Sequence, residues 1–416
     1  VGDDQPIPRA GEPVRILLFL LLLCSLAAAD PVHISFWHAF SGDREARLKE
    51  LVGRFQEQNP EILVDLKSFT DPRKAGNDYA ELYKNLLQAL GEGKPPVVAQ
   101  MYENWVTQMA EVKQLVPLDT QLGGTWKDMP GVFLKASTHA DGKRYSVPFN
   151  KSLWTLYANN HLFEEKEPPQ NWSEFRVACG KLKSQFPRGV VASPTPFDLF
   201  DMHFVSQGGR FFDDLKRPSF AGPLGMSSGG YLQGLAGQDT NCLFGPEAYR
   251  LFADGKLPFL IDTSAKLTSL EGKLGDRLAV YPLPRGAGDR IQLTGTQLSI
   301  FNKSSEPERR AGVRLLRFLT SPEQTRQWAI ATGYLPVRAS VYNDPIYLEY
   351  LQARKGRTVI TGEMARAQVQ PQVVGWEATR AIINDALERN LYQKMPIDKE
   401  LIRAQSTIAR LVKGLQ

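Results

Sequence analysis

Residues 32–66, VHISFWHAFSGDREARLKELVGRFQEQNPEILVDL, decide the fold. Apolar and polar side chains alternate over residues 32–36, which is typical of a β-strand. Apolar side chains then recur at helical spacing over residues 48–55, and Pro60 ends this helix. A second apolar run follows at residues 62–66. The stretch therefore predicts a strand, a helix and a second strand, the unit from which α/β folds are built.

The same alternation continues along the chain. A helix over residues 82–90 ends at Gly91, and the apolar run 97–101 predicts the next strand. After residue 145, strand-like runs and helices alternate again. Because 416 residues exceed the size at which a single hydrophobic core keeps growing, we expect more than one unit. The predicted fold class is α/β, with two lobes that each contain a mainly parallel sheet flanked by helices.

The first 29 residues differ in kind from the rest. Arg9 and Arg15 precede an apolar run over residues 16–23, which leads into three alanines at residues 27–29. This order of positive, apolar and small residues predicts a secretory signal peptide over residues 1–29, cleaved after the last alanine. We therefore expect export to the periplasm.

Lipidation of Cys24 is the alternative processing route. Leu23 argues against it, because lipoprotein signals usually carry a small residue at that position. No second run of about 18 apolar residues follows, so the remainder of the chain is predicted to be soluble.

Composition and charge restrict the functional classes to which the chain can belong. The chain is 42% hydrophobic and 23% charged, which is typical of soluble globular proteins and excludes disordered and fibrous classes. The formal net charge is +5, and removal of residues 1–29 (Arg9 and Arg15 against Asp3, Asp4 and Glu12) makes it +6, a mild basicity that fits an anionic ligand. Lysines and arginines are scattered, so we expect no nucleic-acid partner. The histidines and cysteines lack metal-ligand spacing, and no metal or cofactor is predicted. Cys179 and Cys242 are expected to be buried free thiols, with a disulfide between them as the alternative.

One motif has the spacing of a catalytic site. Residues 225–229, Gly-Met-Ser-Ser-Gly, fit the Gly-x-Ser-x-Gly pattern, which requires a strand before the serine and a helix after it. Pro218 and Pro223 lie just before the motif, so we interpret it as a surface turn. The chain is therefore predicted not to be an enzyme. A secreted hydrolase that uses Ser227 or a carboxylate pair is the distant alternative.

Several short segments occur in the same order as in a known protein family. They are Phe36-Trp37-His38, Arg54-Phe55 with Asn59-Pro60, Gly93 with Pro95, Pro148-Phe149-Asn150 and Gly333-Tyr334-Leu335-Pro336. Over essentially all of its length after residue 29, the chain resembles the extracellular solute-binding proteins of the maltose-binding type. These proteins capture ligands for ABC importers. Within the family, the resemblance is greatest to the members that bind sn-glycerol 3-phosphate and its diesters.

The resemblance implies a set of ligand contacts, at the positions that match the family's motifs. They are Tyr79, Glu103, Ser152, Thr263, Gly295, Tyr334 and Arg380. Their chemistry is consistent with a phosphorylated polyol. A phosphate needs a planar guanidinium, hydroxyl groups and backbone N–H donors, whereas glycerol hydroxyls can donate to a carboxylate such as Glu103.

Two features of the sequence leave the identity of the ligand undecided. Residues 193–200, SPTPFDLF, stand where the glycerophosphate-binding members carry a tryptophan-rich stretch, so this wall of the pocket differs. A sugar-binding protein of the same fold is the alternative, with Glu103 kept as a contact and Arg380 structural. The tryptophans Trp37, Trp105, Trp154 and Trp376 are interpreted as packing residues rather than sugar-stacking platforms.

The resemblance also implies a lobe arrangement and partners. Lobe 1 is predicted to comprise residues 30–155 and 294–331, and lobe 2 residues 156–293 and 332–416. The ligand is expected in the cleft between them, where a hinge motion closes the lobes. The expected partners are a small-molecule ligand and the permease subunits of an ABC importer in the membrane, and the chain is expected to be a monomer.

Overall fold

The computed structural model describes Gly2 and residues 30–70, 79–163, 167–237 and 240–415. The predicted signal peptide, apart from Gly2, lies outside the described residues, and so does Cys24. Among the described residues, no helix combines the length and the apolar character needed to cross a membrane.

Strands and helices alternate along the described residues. The strands are β1 (Val32–His38), β2 (Ile62–Ser68), β3 (Val98–Met101), β4 (Val147–Asn159), β5 (Val191–Ser193), β6 (Cys242–Phe244), β7 (Phe259–Thr263), β8 (Leu278–Tyr281), β9 (Ile291–Ile300) and β10 (Ala367–Gln368). The α-helices are α1 (Gly42–Gln58), α2 (Tyr79–Gly91), α3 (Glu103–Glu111), α4 (Asp119–Leu122), α5 (Gly131–Ser137), α6 (Trp172–Leu182), α7 (Pro196–Ser206), α8 (Pro223–Ala236), α9 (Pro246–Ala253), α10 (Leu267–Leu274), α11 (Glu306–Leu319), α12 (Pro322–Thr332), α13 (Pro345–Gln352), α14 (Lys355–Gly362), α15 (Trp376–Gln393) and α16 (Ile397–Leu415).

Helix α12 shows how local sequence fixes an element. The Ser321 side chain accepts a hydrogen bond from the Gln324 N–H, and Pro322 occupies the first turn, where its missing N–H costs nothing. Gly333 ends the helix in the left-handed conformation, with φ of +77°. Because this turn requires positive φ, glycine sets the direction in which the chain leaves α12 toward Tyr334.

The strands form one sheet whose two ends are parallel and whose middle is antiparallel. Its order is β2-β1-β3-β9-β4-β7-β5-β6, with β10 beside β9 and β8 beside β4. β1 pairs in parallel with β2 and β3, and β5 pairs in parallel with β6 and β7. The long strands β4 and β9 pair with each other in antiparallel fashion and join the two ends.

Each end of the sheet has its own hydrophobic core. On the β1 side, Phe36 and Phe55 belong to a cluster that includes Trp328 of α12. On the β7 side, Tyr157 of β4 and Ile383 of α15 belong to a second, larger cluster. Two smaller clusters of buried residues complete the interior of the described chain. The predicted boundaries between the lobes stay a prediction.

The Gly-x-Ser-x-Gly segment lies inside helix α8, so the prediction of a surface turn was wrong. Pro223 stands in the first turn of α8, where proline favours a helix start instead of a turn. The glycines permit close packing: a Cβ at Gly225 would lie 1.8 Å from the Phe220 carbonyl oxygen, and one at Gly229 would lie 2.5 Å from Ile397. Ser227 is exposed on the helix surface.

The two cysteines of the described chain are buried free thiols, as expected from the sequence. Burial raises the pKa of the Cys179 thiol well above its ordinary value, with a smaller contribution from Cys242. Both thiols are therefore held in the protonated, unreactive form.

Candidate functional site

A cavity of about 250 Å³ opens where strands β4, β7 and β9 meet helices α7 and α15. We call it the main cavity. Its lining combines cationic, acidic, hydroxyl and aromatic side chains: Arg44, Tyr79, Tyr102, Ser152, Trp154, Phe197, Asp198, Asp201, Thr263, Ala265, Lys266, Thr294, Gly295, Tyr334, Gln370, Trp376 and Arg380. A site of this size and polarity is suited to a small polar ligand.

The structure brings six of the seven predicted contact residues to the main cavity. They are Tyr79, Ser152, Thr263, Gly295, Tyr334 and Arg380. Glu103 does not line this cavity, although its neighbour Tyr102 does. That these residues contact a ligand stays a prediction.

Glu103 instead forms a buried ion pair with Lys151 of β4. Glu103 is 4% exposed and Lys151 is fully buried, so each charge needs the other. Burial lowers the pKa of Lys151, and the Glu103 carboxylate opposes this shift. The pair links the first turn of α3 to the central strand β4.

Arg380 of α15 provides the cationic wall of the main cavity. Its Nη2 donates to Asp198 Oδ1 at 3.1 Å, and its guanidinium lies 5.2 Å from the centre of the Phe197 ring. Burial alone would lower the pKa of Arg380, but Asp198, Glu377 and other acidic neighbours raise it above its ordinary value. The guanidinium therefore stays charged, with Asp198 as its hydrogen-bonding partner.

Local sequence fixes Asp198 at the start of α7. Thr195 caps the helix: its Oγ1 accepts from the Asp198 N–H at 3.1 Å and donates to Asp198 Oδ2 at 2.7 Å. One carboxylate oxygen is thus held by the cap and the other faces Arg380. The residues that replace the family's tryptophan-rich stretch therefore place a carboxylate in the cavity.

Replacing Asp198 with asparagine should strengthen binding of an anionic ligand. The change removes a negative charge from the cavity and replaces the ion pair with Arg380 by a weaker hydrogen bond to a neutral amide oxygen, so the affinity for an anionic probe such as sn-glycerol 3-phosphate should rise about fivefold to tenfold. Isothermal titration calorimetry measures the change in affinity. Glu349→Gln, at an exposed position on α13, removes the same charge and is the control. A loss of affinity would instead indicate that Asp198 accepts a hydrogen bond from the ligand.

Hydroxyl groups and an indole N–H line the strand side of the cavity. Ser152 Oγ on β4 and Thr294 Oγ1 on β9 lie 2.6 Å apart, and Thr263 stands at the end of β7. The Trp154 Nε1 atom is buried and has no hydrogen-bond partner among the described residues. Because a buried donor without a partner is unfavourable, a ligand oxygen that reached this N–H would satisfy it.

Gly295 permits the close approach of β9 to β4. Its φ is +103°, and a Cβ at this position would lie 1.9 Å from the Asn150 carbonyl oxygen. The register of the two strands shifts beside it, between Pro148 and Asn150. Only glycine fits this backbone conformation without displacing β4.

Aromatic rings cover the remaining walls. The Tyr79 and Tyr102 ring centres are 4.8 Å apart, and the guanidinium of Arg44 lies 5.3 Å from the Tyr334 ring centre. Trp154 and Trp376 also line the cavity, and Trp37 and Trp105 do not. Two of the four tryptophans interpreted as packing residues thus face the site.

Asp201 is a second buried carboxyl group at the cavity wall. Burial raises its pKa to about 7, against the opposing effects of Gln292, which donates to Asp201 Oδ1 at 2.9 Å, and of Arg380. The nearby negative charge of Asp198 raises the pKa of Asp201 further. The charge of the cavity therefore changes near neutral pH.

The raised pKa of Asp201 predicts a pH-dependent stability. The folded protein holds the Asp201 proton more tightly than the unfolded chain, so this group's contribution to stability falls as pH rises from about 4 to about 7. The free energy of unfolding therefore decreases with pH in this range, and Asp201→Asn should reduce that decrease by up to about 1.4 kcal/mol per pH unit. Urea unfolding of the ligand-free protein at pH 5, 6 and 7 measures it, with Glu349→Gln as control. Equal slopes for wild type and Asp201→Asn would contradict the prediction.

Sequence reasoning missed several cavity residues. Arg44, Lys266 and Asp198 reach the site only through tertiary packing, from α1, from the turn after β7 and from α7. Asp198 lies within the divergent segment 193–200, which is the one pattern that pointed to a changed wall.

Known proteins resemble most of the chain. Residues 55–354 match the model of a family described as "Bacterial extracellular solute-binding protein". The sn-glycerol-3-phosphate-binding periplasmic protein UgpB of Yersinia pestis bv. Antiqua (strain Antiqua) is 22% identical over 409 residues, covering 90% of this chain and 91% of that protein.

Two solved structures show the same fold. UgpB from Mycobacterium tuberculosis in complex with glycerophosphocholine has a TM-score of 0.82 at 23% identity, covering 93% of this chain and 99% of that chain. Maltose-bound MalE3 of T. maritima has a TM-score of 0.79 at 21% identity, covering 92% of this chain and 100% of that chain. The fold class predicted from the sequence, a two-lobed α/β protein, is confirmed.

Proposed function

The chain belongs to the bacterial extracellular solute-binding proteins, and on that premise we propose that it captures sn-glycerol 3-phosphate or a glycerophosphodiester for an ABC importer. It works in the periplasm after export, as a monomer, and delivers the ligand to the permease subunits in the membrane. Its mechanism is binding and hinge closure, without turnover, metal or cofactor. Closure brings lobe 1 (30–155 and 294–331) onto lobe 2 (156–293 and 332–416) around the main cavity.

The proposal rests on the cationic groups and hydrogen-bond donors that line the main cavity. Arg44, Lys266 and Arg380 outnumber the carboxylates of Asp198 and Asp201. The cations are joined by the hydroxyl groups and by the unpartnered indole N–H described above. A phosphate group provides strong acceptor oxygens for such donors, and arginine can pair with two of them at once.

Glycerol fits the rest of the cavity. Its hydroxyl groups can donate to the Asp201 carboxyl group, while its carbon face packs on Tyr79 or Tyr102. The names of the Yersinia relative and the Mycobacterium tuberculosis structure support the same ligand class, sn-glycerol 3-phosphate and glycerophosphocholine respectively.

A neutral sugar is the second candidate. Aromatic rings and carboxylates are also the groups that bind sugars, and Trp154 and Trp376 line the main cavity. The maltose-bound neighbour has a comparable TM-score. In that case Arg380 serves only to hold Asp198.

A thermal-shift screen separates the two candidates, because a ligand that binds only the folded state raises its melting temperature. The panel contains two phosphate compounds, sn-glycerol 3-phosphate and glycerophosphocholine, and two neutral compounds, glycerol and maltose. The proposal predicts shifts with the first two at millimolar concentration. A shift with maltose alone would support the sugar and reject the phosphate.

A further inference from the structure

Two buried carboxyl groups lie one helical turn apart on α7, and they differ in their partners. Asp198 pairs with Arg380, and Thr195 holds its other oxygen. Asp201 is 4% exposed and also lines the main cavity, but it forms no ion pair within the described parts of the chain. Its Oδ1 accepts from Gln292 Nε2 at 2.9 Å. Oδ2 is therefore the oxygen of Asp201 that is left for a ligand.

The elements around Asp201 bring it little positive charge. Helices α8 and α15 and strands β5 and β9 pack against α7, and neither strand has a titratable side chain. Burial keeps His203 of α7 neutral, with a pKa lowered to about 4, and keeps Tyr231 of α8 protonated. The charged groups that remain are Asp198 of α7 and Glu377 and Arg380 of α15. The one cation among them, Arg380, already pairs with Asp198.

An anionic ligand makes the Asp201 carboxyl group harder to ionise. Burial already raises its pKa to about 7, and Arg380 is one of the two groups that oppose this rise. A phosphate in the main cavity brings a further negative charge toward Asp201 and engages the Arg380 guanidinium. Two anionic oxygens in a buried site repel each other, whereas a proton between them makes a charge-assisted hydrogen bond.

We propose that Asp201 is a ligand-binding residue that acts as a neutral carboxylic acid. Its Oδ2–H donates a hydrogen bond to an oxygen of the anionic ligand, and one proton from the solvent binds to Asp201 together with that ligand. No bond of the ligand is broken. The inference rests on the proposed function and adds a donor that favours oxyanions over neutral ligands, because only an anion raises the proton affinity of this group.

Binding that takes up a proton depends on pH. Because the ligand raises the pKa of Asp201 above about 7, the gain in affinity is complete below pH 7 and is lost as pH rises beyond it. Asp201→Asn keeps an oxygen for Gln292 and offers an amide N–H to the ligand, but it cannot take up the proton. Relative to this variant, the affinity of wild type for sn-glycerol 3-phosphate should fall about fivefold to tenfold between pH 6 and pH 8.

Calorimetry on the full chain counts the protons directly. The heat of binding at pH 7.5 is measured in two buffers of different ionisation enthalpy, with sn-glycerol 3-phosphate and with glycerophosphocholine as probes. Wild type should take up about half a proton more per bound ligand than Asp201→Asn. Since both proteins are compared with the same ligand, protons exchanged by the phosphate itself cancel. Equal proton numbers for the two proteins would overturn the inference while the proposed function stands.

Asp262→Asn is the matched control. It removes another buried carboxyl group with a raised pKa, about 6, that does not line the main cavity. This variant should keep the proton uptake of wild type. Uptake that is lost in Asp262→Asn and kept in Asp201→Asn would assign the proton to Asp262, which contradicts the inference. Failure of both probes to bind wild type at pH 6 would overturn the inference and the proposed function together.

Discussion

Replacing Arg380 with alanine is expected to weaken binding of sn-glycerol 3-phosphate by about 2 to 3 kcal/mol, roughly 30-fold to 150-fold. The change removes the guanidinium from the cavity wall and leaves the buried Asp198 without its cationic partner. The remaining carboxylates then face the phosphate with less positive charge to offset them. Both effects act in the same direction, so the loss should exceed that of one neutral hydrogen bond. Isothermal titration calorimetry at constant ionic strength measures it.

Two controls make this result specific. Arg310→Ala removes an exposed arginine that pairs with Glu306 on the surface of α11, and the affinity of this variant should equal that of wild type. Arg380→Lys keeps the charge but not the planar donor pair, so it should recover only part of the affinity. An Arg380→Ala protein that binds as tightly as wild type would make this arginine structural and favour the sugar alternative.

Replacing Gly295 with alanine should destabilise the folded protein by about 3 kcal/mol or more. The added Cβ would lie 1.9 Å from the Asn150 carbonyl oxygen, in a backbone conformation with φ of +103°. Relief requires β4 or β9 to move, and both strands line the main cavity and join the two ends of the sheet. Urea unfolding monitored by circular dichroism measures the loss.

Gly180 provides the matched control for this substitution. It lies exposed within α6, its φ is not positive, and a Cβ there meets nothing within 4 Å. Gly180→Ala should therefore be neutral or stabilising by about 0.5 to 1 kcal/mol. Equal stabilities for Gly295→Ala and wild type would show that the strands tolerate the side chain and that this close approach is not a constraint.

Local patterns predicted the elements well. The strand, helix and strand within residues 32–66 form as expected, because apolar periodicity and Pro60 act within a few residues of one another. The serine cap at Ser321 starts α12 for the same reason. The family assignment, which came from ordered motifs along the chain, is confirmed by the match over residues 55–354.

Contacts between distant residues were not predictable from local pattern. Glu103 pairs with Lys151, 48 positions away, and nothing in either segment indicates the other. Arg380 and Asp198 meet across 182 positions. The turn predicted at Gly225 was wrong because glycine and proline were taken as breakers, whereas the glycines there allow helix α8 to pack closely.

The central claim is that the main cavity binds a phosphorylated polyol, and one measurement tests it most directly. Purified protein, stripped of ligand by unfolding and refolding, is titrated by calorimetry with sn-glycerol 3-phosphate and, separately, with maltose. The account predicts saturable heat with sn-glycerol 3-phosphate, at a micromolar or lower dissociation constant, and none with maltose. Heat with maltose and none with sn-glycerol 3-phosphate would contradict it.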